Sequence, residues 1–261
     1  MDKPGEVLKA LYEWALSAGK DAQVQDLRVG LGYVGSRLAD GRTGVAALLL
    51  DAIPSGCMVL QDAGAFAGSP ASSLLEYLVK GETPLERALG LATANALIDP
   101  PRDALDDREA TTFFGLKGGD QVVMVGLFSP LVERIVSTGA SLTIIEKNPE
   151  KMKIPDEKEK EKALRNCDVA IITGTTLLNN SFEEVIGGLG IPRCVAVIGP
   201  STPLLPEIFR KTPVTHLGGA VVMDPDRVMR VISEAGGTPA MRSALRFVNL
   251  VLKSSLKGPA A

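Results

Sequence analysis

The polar segment 173–180 carries the side chains of this sequence that are best suited to holding a ligand. Its hydroxyls and amides can donate and accept hydrogen bonds, and its glycine lets a ligand approach the backbone closely. None of these groups ionises near neutral pH, so the segment can orient a ligand but cannot by itself transfer a proton. The same side chains can instead bond their own backbone in Asx and Ser/Thr turns. The candidate ligand-binding residues are Thr173, Gly174, Thr175, Thr176, Asn179 and Asn180.

A second polar turn, residues 199–202, comes just before Pro203. Proline is favoured at the first helical position and threonine at the cap, so we predict a helix that begins at Pro203. The free amides at a helix N-terminus attract anions, although a simple cap explains Thr202 without a ligand. The candidate residues of this anion site are Gly199, Pro200, Ser201 and Thr202.

Gly126 and Glu146 have the spacing of a nucleotide site. Gly126 follows a predicted strand, and Glu146 ends the next strand 20 residues later, where nucleotide-binding folds place a carboxylate on the ribose. Only one of the three glycines of a dinucleotide fingerprint is present, and an acidic residue before residues 147–149 can equally form a turn. A nucleotide or S-adenosylmethionine is therefore the less favoured ligand.

The candidate acids and bases are few. His216 is the only histidine, and a lone histidine on a strand is more often packed than catalytic. Asp224 precedes Pro225 and is first of all a helix N-cap. Glu146, Asp224 and His216 are the candidates for catalysis, but they assemble into no Ser–His–Asp arrangement, so whether the protein is an enzyme is left open.

Composition limits the class of protein. The chain has 261 residues, 45% of them hydrophobic, which is enough for two domains with packed cores. A net charge of −3 and an aromatic content of 4% favour neither nucleic acid nor an anionic membrane as a partner. The apolar runs are too short to span a membrane, and the first residues lack a signal-peptide core, so we expect a cytoplasmic protein. Whether it forms a homo-oligomer is left open.

The cysteines do not form a recognisable framework. Cys57, Cys167 and Cys194 are widely spaced and odd in number, and no CxxC pattern exists. We expect Cys167 and Cys194 to be small buried thiols and Cys57, in a Gly-Cys-Met turn, to be more accessible. Whether any of the three, or His216, binds metal is left open.

The two halves of the chain have different patterns of secondary structure. Residues 1–105 predict a helix (4–18), a β-meander (24–50) and two helices (72–80 and 84–97), and a Pro-rich linker follows at 99–108. From residue 121, apolar strands alternate with helices, which predicts a mainly parallel sheet covered on both faces. The predicted strands are 121–125, 141–145, 168–172, 193–198 and 214–217, and the predicted helices are 130–137, 157–165, 182–187, 203–210, 225–235 and 241–256. A capping box of Ser181 and Glu184 is expected to start the helix after the 173–180 segment.

Together these motifs resemble the putative heavy-metal chelation family. The resemblance rests on residues 173–180, 198–203 and 218–225, on Gly126-Leu-Phe-Ser-Pro130 and Glu146-Lys-Asn-Pro149, and on 44–46 and 89–97 near the N-terminus. It implies an enolase N-terminal-like α+β domain (1–105) followed by a Rossmann-like α/β domain (106–261). It further implies a ligand cleft between them, lined by 173–180, 199–203 and Glu146, with Phe128 and Asn148 in the matching motifs. Asn95 is the candidate from the first domain, because an asparagine among alanines in a helix is costly unless it bonds something.

The family description meets a chemical difficulty in this sequence. Soft metals prefer thiolate, thioether or imidazole ligands, and the candidate loops contain none. Glu146, Asp224 and the amides would suit a hard ion instead. We therefore expect a small polar or anionic ligand that itself carries any metal, and we expect Thr175, Asn179 and Ser201 to point into one cavity. The alternatives are an enzyme that uses a nucleotide or sulfonium cofactor and a non-catalytic binding protein.

Overall fold

The computed structural model of the protein describes residues 4–53, 56, 58–146 and 156–252. Asn148 and Cys57 lie outside these residues, as does the end of the predicted final helix. The chain forms two sheets: a three-stranded antiparallel sheet near the N-terminus and a six-stranded, mainly parallel sheet after it. Within the described ranges, no helix is long and apolar enough to cross a bilayer. The predicted α/β fold class is thereby confirmed.

The small sheet lies between two helices. Its strands are β1 (Val24–Val29), β2 (Tyr33–Leu38) and β3 (Thr43–Ala47), and the helices of this part are α1 (Glu6–Ala18), α2 (Ala71–Leu75), α3 (Tyr77–Lys80) and α4 (Pro84–Leu97). The predicted cap at Thr83 is present, since its side chain and that of Glu86 form a capping box that begins α4. One face of β2 and β3 packs on α4, and the other packs on a helix from the second half of the chain.

Gly44 is required by the close contact between β3 and α4. A Cβ atom at this position would lie 2.7 Å from the Asn95 carbonyl carbon and would also run into the backbone of Ala92 and Ala96. Because these are backbone atoms, no side-chain rotation could relieve the overlap. The contact brings Asn95, near the end of α4, next to the strand.

The large sheet has the strand order β5-β4-β6-β7-β8-β9. The strands are β4 (Gln121–Val125), β5 (Ser141–Ile145), β6 (Val169–Thr173), β7 (Cys194–Ile198), β8 (His216–Val222) and β9 (Leu245–Val251). The helices are α5 (Ser129–Ser137), α6 (Glu157–Asn166), α7 (Phe182–Gly188), α8 (Pro225–Ser233) and α9 (Thr238–Met241). The first five strands in this order are parallel, and β9 is antiparallel to β8.

A single hydrophobic core joins the two parts of the chain. It includes Leu8 and Leu91 from the first part and Val123, Ile172 and Val197 from one face of the large sheet. A second cluster lies on the opposite face under α5, with Met124 and Ile135 at its centre. The division at residue 105 stays a prediction, because the two parts bury apolar surface against each other.

Three predicted helical features are wrong. The helix predicted at 241–256 is instead the short helix α9 followed by β9, because pairing with β8 outweighs an amphipathic pattern that also suits a strand. The helix predicted at 203–210 is reduced to a 3₁₀ turn, Pro206–Phe209, so no helix N-terminus exists at Thr202. The helix α7 does begin after Ser181, but the Ser181 hydroxyl bonds Asn179 and forms no capping box.

Candidate functional site

The polar turns after β4, β6 and β7 lie at one edge of the large sheet, because these parallel strands end there. The strand order also reverses at this edge, since the chain leaves β4 toward β5 and returns on the other side to β6. Open α/β sheets bind ligands at such a switch point or beside it. The switch point of the sheet therefore lies at the same edge where the sequence predicts a site.

The 173–180 segment makes most of its hydrogen bonds within itself. It contains a 3₁₀ turn, Gly174–Leu177, in which the Thr173 hydroxyl accepts a bond from the Thr175 amide at 3.3 Å and the Thr176 hydroxyl donates to the Thr173 carbonyl at 2.7 Å. The Asn179 Oδ1 accepts from the Ser181 hydroxyl at 2.6 Å. Local turns thus occupy the side chains that the sequence offers to a ligand. Asn180 differs, because its Oδ1 is buried without a hydrogen-bond partner within the described ranges.

The turn after β7 packs directly against the 173–180 segment. A Cβ atom at Gly174 would lie 2.8 Å from the Thr202 hydroxyl and 2.9 Å from the Thr202 amide, so only glycine allows this contact. The Thr202 hydroxyl is buried and has no hydrogen-bond partner in the part of the chain that the structure describes. The Ser201 hydroxyl instead accepts a bond from the Ala47 amide of β3 at 2.7 Å. The turn therefore connects the large sheet to the small one.

Asn95 completes this connection from α4. Its Nδ2 donates to the Val45 carbonyl at 2.9 Å and more weakly to the Ser201 carbonyl at 3.4 Å. Because both partners are carbonyl oxygens, the amide must present its nitrogen to them. Its Oδ1 is left buried and finds no partner among the residues that the structure describes. A buried acceptor in this state costs about 1–3 kcal/mol, so its retention needs an explanation.

A cavity of about 300 Å³ lies beside Asn95, between α4, β3, the turn after β7 and the end of β8. Among the predicted site residues, Asn95, Pro200 and Thr202 line it, whereas Thr175, Asn179 and Ser201 do not. The expectation that those three share one cavity is therefore not met by this one. Its lining residues are Arg42, Thr43, Gly44, Val45, Asn95, Ala96, Ile98, Asp99, Pro100, Arg102, Pro200, Thr202, Leu204, Ala220, Val221 and Val222.

The cavity carries charges of both signs. The Arg42 guanidinium forms an ion pair with Asp40 at 2.7 Å, and this contact lowers the pKa of the Asp40 carboxyl. Arg102 and Asp99 also line the cavity and are exposed, and neither has an ion-pair partner within the described parts of the chain. The remaining lining is largely apolar, from Ile98 to Leu204 and the end of β8. Such a mixture of apolar wall and few polar groups is typical of small-molecule sites.

The switch point at the carboxyl ends of β4 and β6 is a separate feature. Gly126 has a φ of +85°, and the Thr173 side chain packs against it. Glu146 follows β5, and its Oε2 accepts a bond from the Leu127 amide at 3.2 Å. The ring of Phe128 lies close to Gly199. Glu146, Gly126 and Phe128 are thus neighbours as the spacing predicts, but they do not line the Asn95 cavity.

His216 and Asp224 are also outside this cavity. His216 is only 2% exposed and lies beside the rings of Phe113 and Phe114 on one face of the large sheet. Burial lowers the pKa of its imidazole, partly opposed by its bond with Asn249 at 3.0 Å. Asp224 caps α8 through a bond from the Arg227 amide at 3.0 Å. His216 is thus a packed histidine and Asp224 a helix N-cap, which are the structural roles that the sequence allows for them.

The described residues do not fit a metal centre made of protein ligands. No group of three or more His, Cys, Asp or Glu side chains comes together within them. Cys167 and Cys194 are buried, and burial raises the pKa of both thiols, for Cys167 to about 11. Both are therefore protonated at neutral pH, which makes them poor metal ligands.

A larger, more open depression of about 360 Å³ lies on α2 and α3. Its charged groups already have partners, since Lys80 pairs with Glu76 at 2.7 Å and the Tyr77 hydroxyl donates to Asp62 at 3.2 Å. The depression has no buried polar atom left without a partner, in contrast to the Asn95 cavity, within the part of the chain that the structure describes. It is the weaker candidate.

Comparison with known proteins assigns the chain to a family. Two sequence models, both described as putative heavy-metal chelation, match residues 109–251 and 12–98. The chain belongs to the putative heavy-metal chelation family. Solved structures of this family share its fold: a protein of unknown function from Pyrococcus horikoshii has a TM-score of 0.82 at 18% identity and covers 94% of this chain and 100% of its own.

A second solved member of the putative heavy-metal chelation family, from Desulfitobacterium hafniense, has a TM-score of 0.74 at 22% identity and covers 93% of this chain and 99% of its own. The uncharacterised protein MJ0500 of Methanocaldococcus jannaschii is 23% identical over 165 residues, or 61% of this chain. That match spans 64% of the length of the relative. At these identities the likenesses establish a shared fold only.

The charged cavity residues were missed from sequence. Arg42 lies after the hairpin turn of β2 and β3, and Asp99 and Arg102 belong to the Pro-rich segment that the sequence marks only as a linker. A weak signal existed in the sequence: the linker carries both acidic and basic residues and directly follows the helix that contains Asn95, so its charges lie near that candidate. Only the packing of α4 onto β3 and the turn after β7 brings these residues to one cavity.

Proposed function

We propose that this protein binds a small polar ligand with an anionic group in the Asn95 cavity, and that any metal it handles arrives as part of that ligand. The observation that carries the proposal is the Asn95 side chain, which lines the cavity and holds a buried acceptor that no described residue satisfies. Because this oxygen has almost no accessible surface, a bound ligand would supply its donor by shifting a neighbouring group of the cavity wall. Arg102, at the same cavity, supplies a positive charge for an anionic group.

The family description, heavy-metal chelation, is consistent with this proposal if the bound molecule, rather than the protein, holds the metal. Heavy-metal chelation by protein side chains needs a cluster of donors, which the described residues do not form. A metal held by an organic chelator needs only a site for that chelator. We therefore assign recognition to the cavity and metal ligation to the bound molecule.

We further propose that binding is not coupled to catalysis at this site. The three candidate acids and bases, Glu146, His216 and Asp224, do not line the cavity. Asp99, the carboxylate that does, is exposed. A group in that position can contact a ligand but is not shielded from water in the way that proton transfer from a tuned carboxylate requires.

Native mass spectrometry of freshly purified protein, combined with elemental analysis, tests the proposal. We expect a bound organic mass, with any metal lost together with it. Occupancy should fall in Arg102→Gln and Asn95→Leu but not in Arg230→Gln, a matched change of an exposed arginine on α8 outside the cavity. Absence of a bound mass, or equal occupancy in all variants, would contradict the proposal. A metal that stays bound without an organic mass would contradict its second part.

A second candidate function is favoured by the topology of the large sheet. The strand order reverses between β4 and β6, and Glu146 stands beside Gly126 there, as in folds that bind nucleotides. Titration with adenine nucleotides and S-adenosylmethionine distinguishes the two. Binding that is lost in Glu146→Gln and kept in Arg102→Gln would favour the nucleotide function; no binding would reject it.

A further inference from the structure

The unpaired charges of the Asn95 cavity are an arginine and an aspartate on the same segment. Arg102 and Asp99 are three residues apart, both line the cavity, and neither forms an ion pair with the other or with another residue that the structure describes. The remaining charged residue of the lining, Arg42, is already paired with Asp40. The charges offered to a ligand are therefore one positive and one negative.

The rest of the cavity wall separates into a polar and an apolar part. The polar part is formed by Thr43, Asn95 and Thr202, and the buried Asn95 Oδ1 has no hydrogen-bond partner among the described residues. The apolar part is formed by Val45, Ile98, Leu204 and the last residues of β8. A ligand that matches the whole wall has an anionic group, an N–H donor and an apolar portion.

We infer that the ligand is a small amino-carboxylate with an apolar side chain; the inference rests on the proposed function of the cavity. Its carboxylate would bind the Arg102 guanidinium, which suits the planar oxygen pair of that group. Its amino group would face the Asp99 carboxylate. Its side chain would lie against Val45, Ile98 and Leu204.

This ligand class accounts for the family description without protein-bound metal. An α-amino-carboxylate chelates a divalent first-row metal through its amine nitrogen and one carboxylate oxygen, a donor set suited to copper and nickel. The coordinated amine keeps its N–H donors, and the carboxylate keeps a second oxygen. The contacts with Asp99 and Arg102 can thus be made by the free ligand or by its metal chelate.

A matched series of three compounds tests the inference by titration calorimetry or ligand-observed NMR. L-Norleucine, hexanoate and pentylamine share one alkyl chain and differ only in whether they carry both charged groups, the carboxylate alone or the amine alone. We expect norleucine to bind about five-fold or more tightly than either partner compound, since each exposed charge contact contributes modestly. The absolute affinity is expected to be weak because the contacts are few.

Substitutions assign each group of the ligand to its residue. Arg102→Gln should reduce the affinity for norleucine to that for pentylamine, and Asp99→Asn should reduce it to that for hexanoate. Both residues are exposed, so folding should persist. The controls are Arg230→Gln and Glu207→Gln, which change exposed charges that do not line the cavity.

Two results would overturn the inference. Equal affinities for norleucine and hexanoate, with both lost in Arg102→Gln, would reject the amino-carboxylate and leave the anion-binding function standing. No binding of any of the three compounds would also reject it, and the proposed function would then be decided separately by the mass that co-purifies with the protein.

Discussion

Buried polar atoms without partners mark two different situations in this protein. Asn95 lines the cavity and presents its nitrogen to two backbone carbonyls, and its Oδ1 is left buried behind the cavity wall without a partner among the described residues. The Nδ1 of His216 also has no partner among the described residues, but this imidazole packs against Phe113 and Phe114 and lines no part of the cavity. A missing hydrogen bond thus lies beside the proposed ligand site at Asn95, whereas at His216 it only lowers the stability of the fold.

The protonation state of His216 follows from its neighbour. Asn249 donates through Nδ2 to the carbonyls of Asp106 and Arg108, so its Oδ1 must accept from His216 Nε2. The neutral imidazole therefore carries its proton on Nε2 and leaves Nδ1 unprotonated. A second proton would have to enter a buried position, which is why burial lowers the pKa of His216.

This lowered pKa predicts a loss of stability in acid. Below the ordinary pKa of 6.5 the unfolded chain binds a proton that the folded chain refuses, so the free energy of unfolding falls as the pH drops. The loss is at most about 1.4 kcal/mol per pH unit for one group. In His216→Gln, which can still donate to Asn249, the difference in stability between pH 7.5 and 5.5 should be smaller than in the wild type. Urea unfolding at both pH values measures it, and an equal difference in the two proteins would refute the assignment.

The sequence is enough to predict Asn95 as a binding residue, but not to predict the contacts and the cavity around its side chain. An asparagine among alanines is recognisable as costly, and the structure shows both the backbone bonds and the cavity beside it. Ser201 was expected to face a ligand, but its hydroxyl bonds Ala47, 154 residues away in the chain. Contacts over such a distance depend on how the elements pack, which no local pattern contains.

At the level of elements, the contact between β3 and α4 positions the cavity. It places Asn95 against Val45 and against the turn after β7, and it depends on the absent side chain of Gly44. The strands β4 to β7 were predicted well because each is a short apolar run. β8 covers 216–222 rather than the predicted 214–217, because its pairing with β9 continues past the two glycines. β9 was not predicted, because its amphipathic sequence also suits a helix and only pairing with β8 decides between them.

Gly44→Ala should therefore destabilise the protein more than an ordinary surface change. The added methyl group meets the backbone of α4, so we expect a loss of about 1–3 kcal/mol in the free energy of unfolding. Gly187→Ala is the matched control: it lies in α7 with no atom near its added Cβ, and alanine should stabilise that helix by up to about 1 kcal/mol. Urea unfolding compares them, and a Gly44→Ala variant as stable as the wild type would show that β3 and α4 are not so close.

At the scale of the whole molecule, the sequence predicts the architecture better than the site. Alternating strands and helices indicate the mainly parallel sheet, and the polar turns indicate its functional edge. The cavity lies at this edge but beside β7 and β8, because the 173–180 segment packs behind the turn after β7 and the first part of the chain supplies the facing wall. Charges from residues 99–102 complete it, and their position follows only from the tertiary structure.

A crystal structure of the freshly purified protein tests the central claim most directly, because the claim concerns where the ligand lies. We predict difference density in the Asn95 cavity, in contact with Arg102 and extending toward the end of β8. Difference density in contact with Gly126 and Glu146, at the switch point between β4 and β6, would contradict the account. So would a cavity filled only with water in a preparation whose native mass spectrum shows a bound organic molecule.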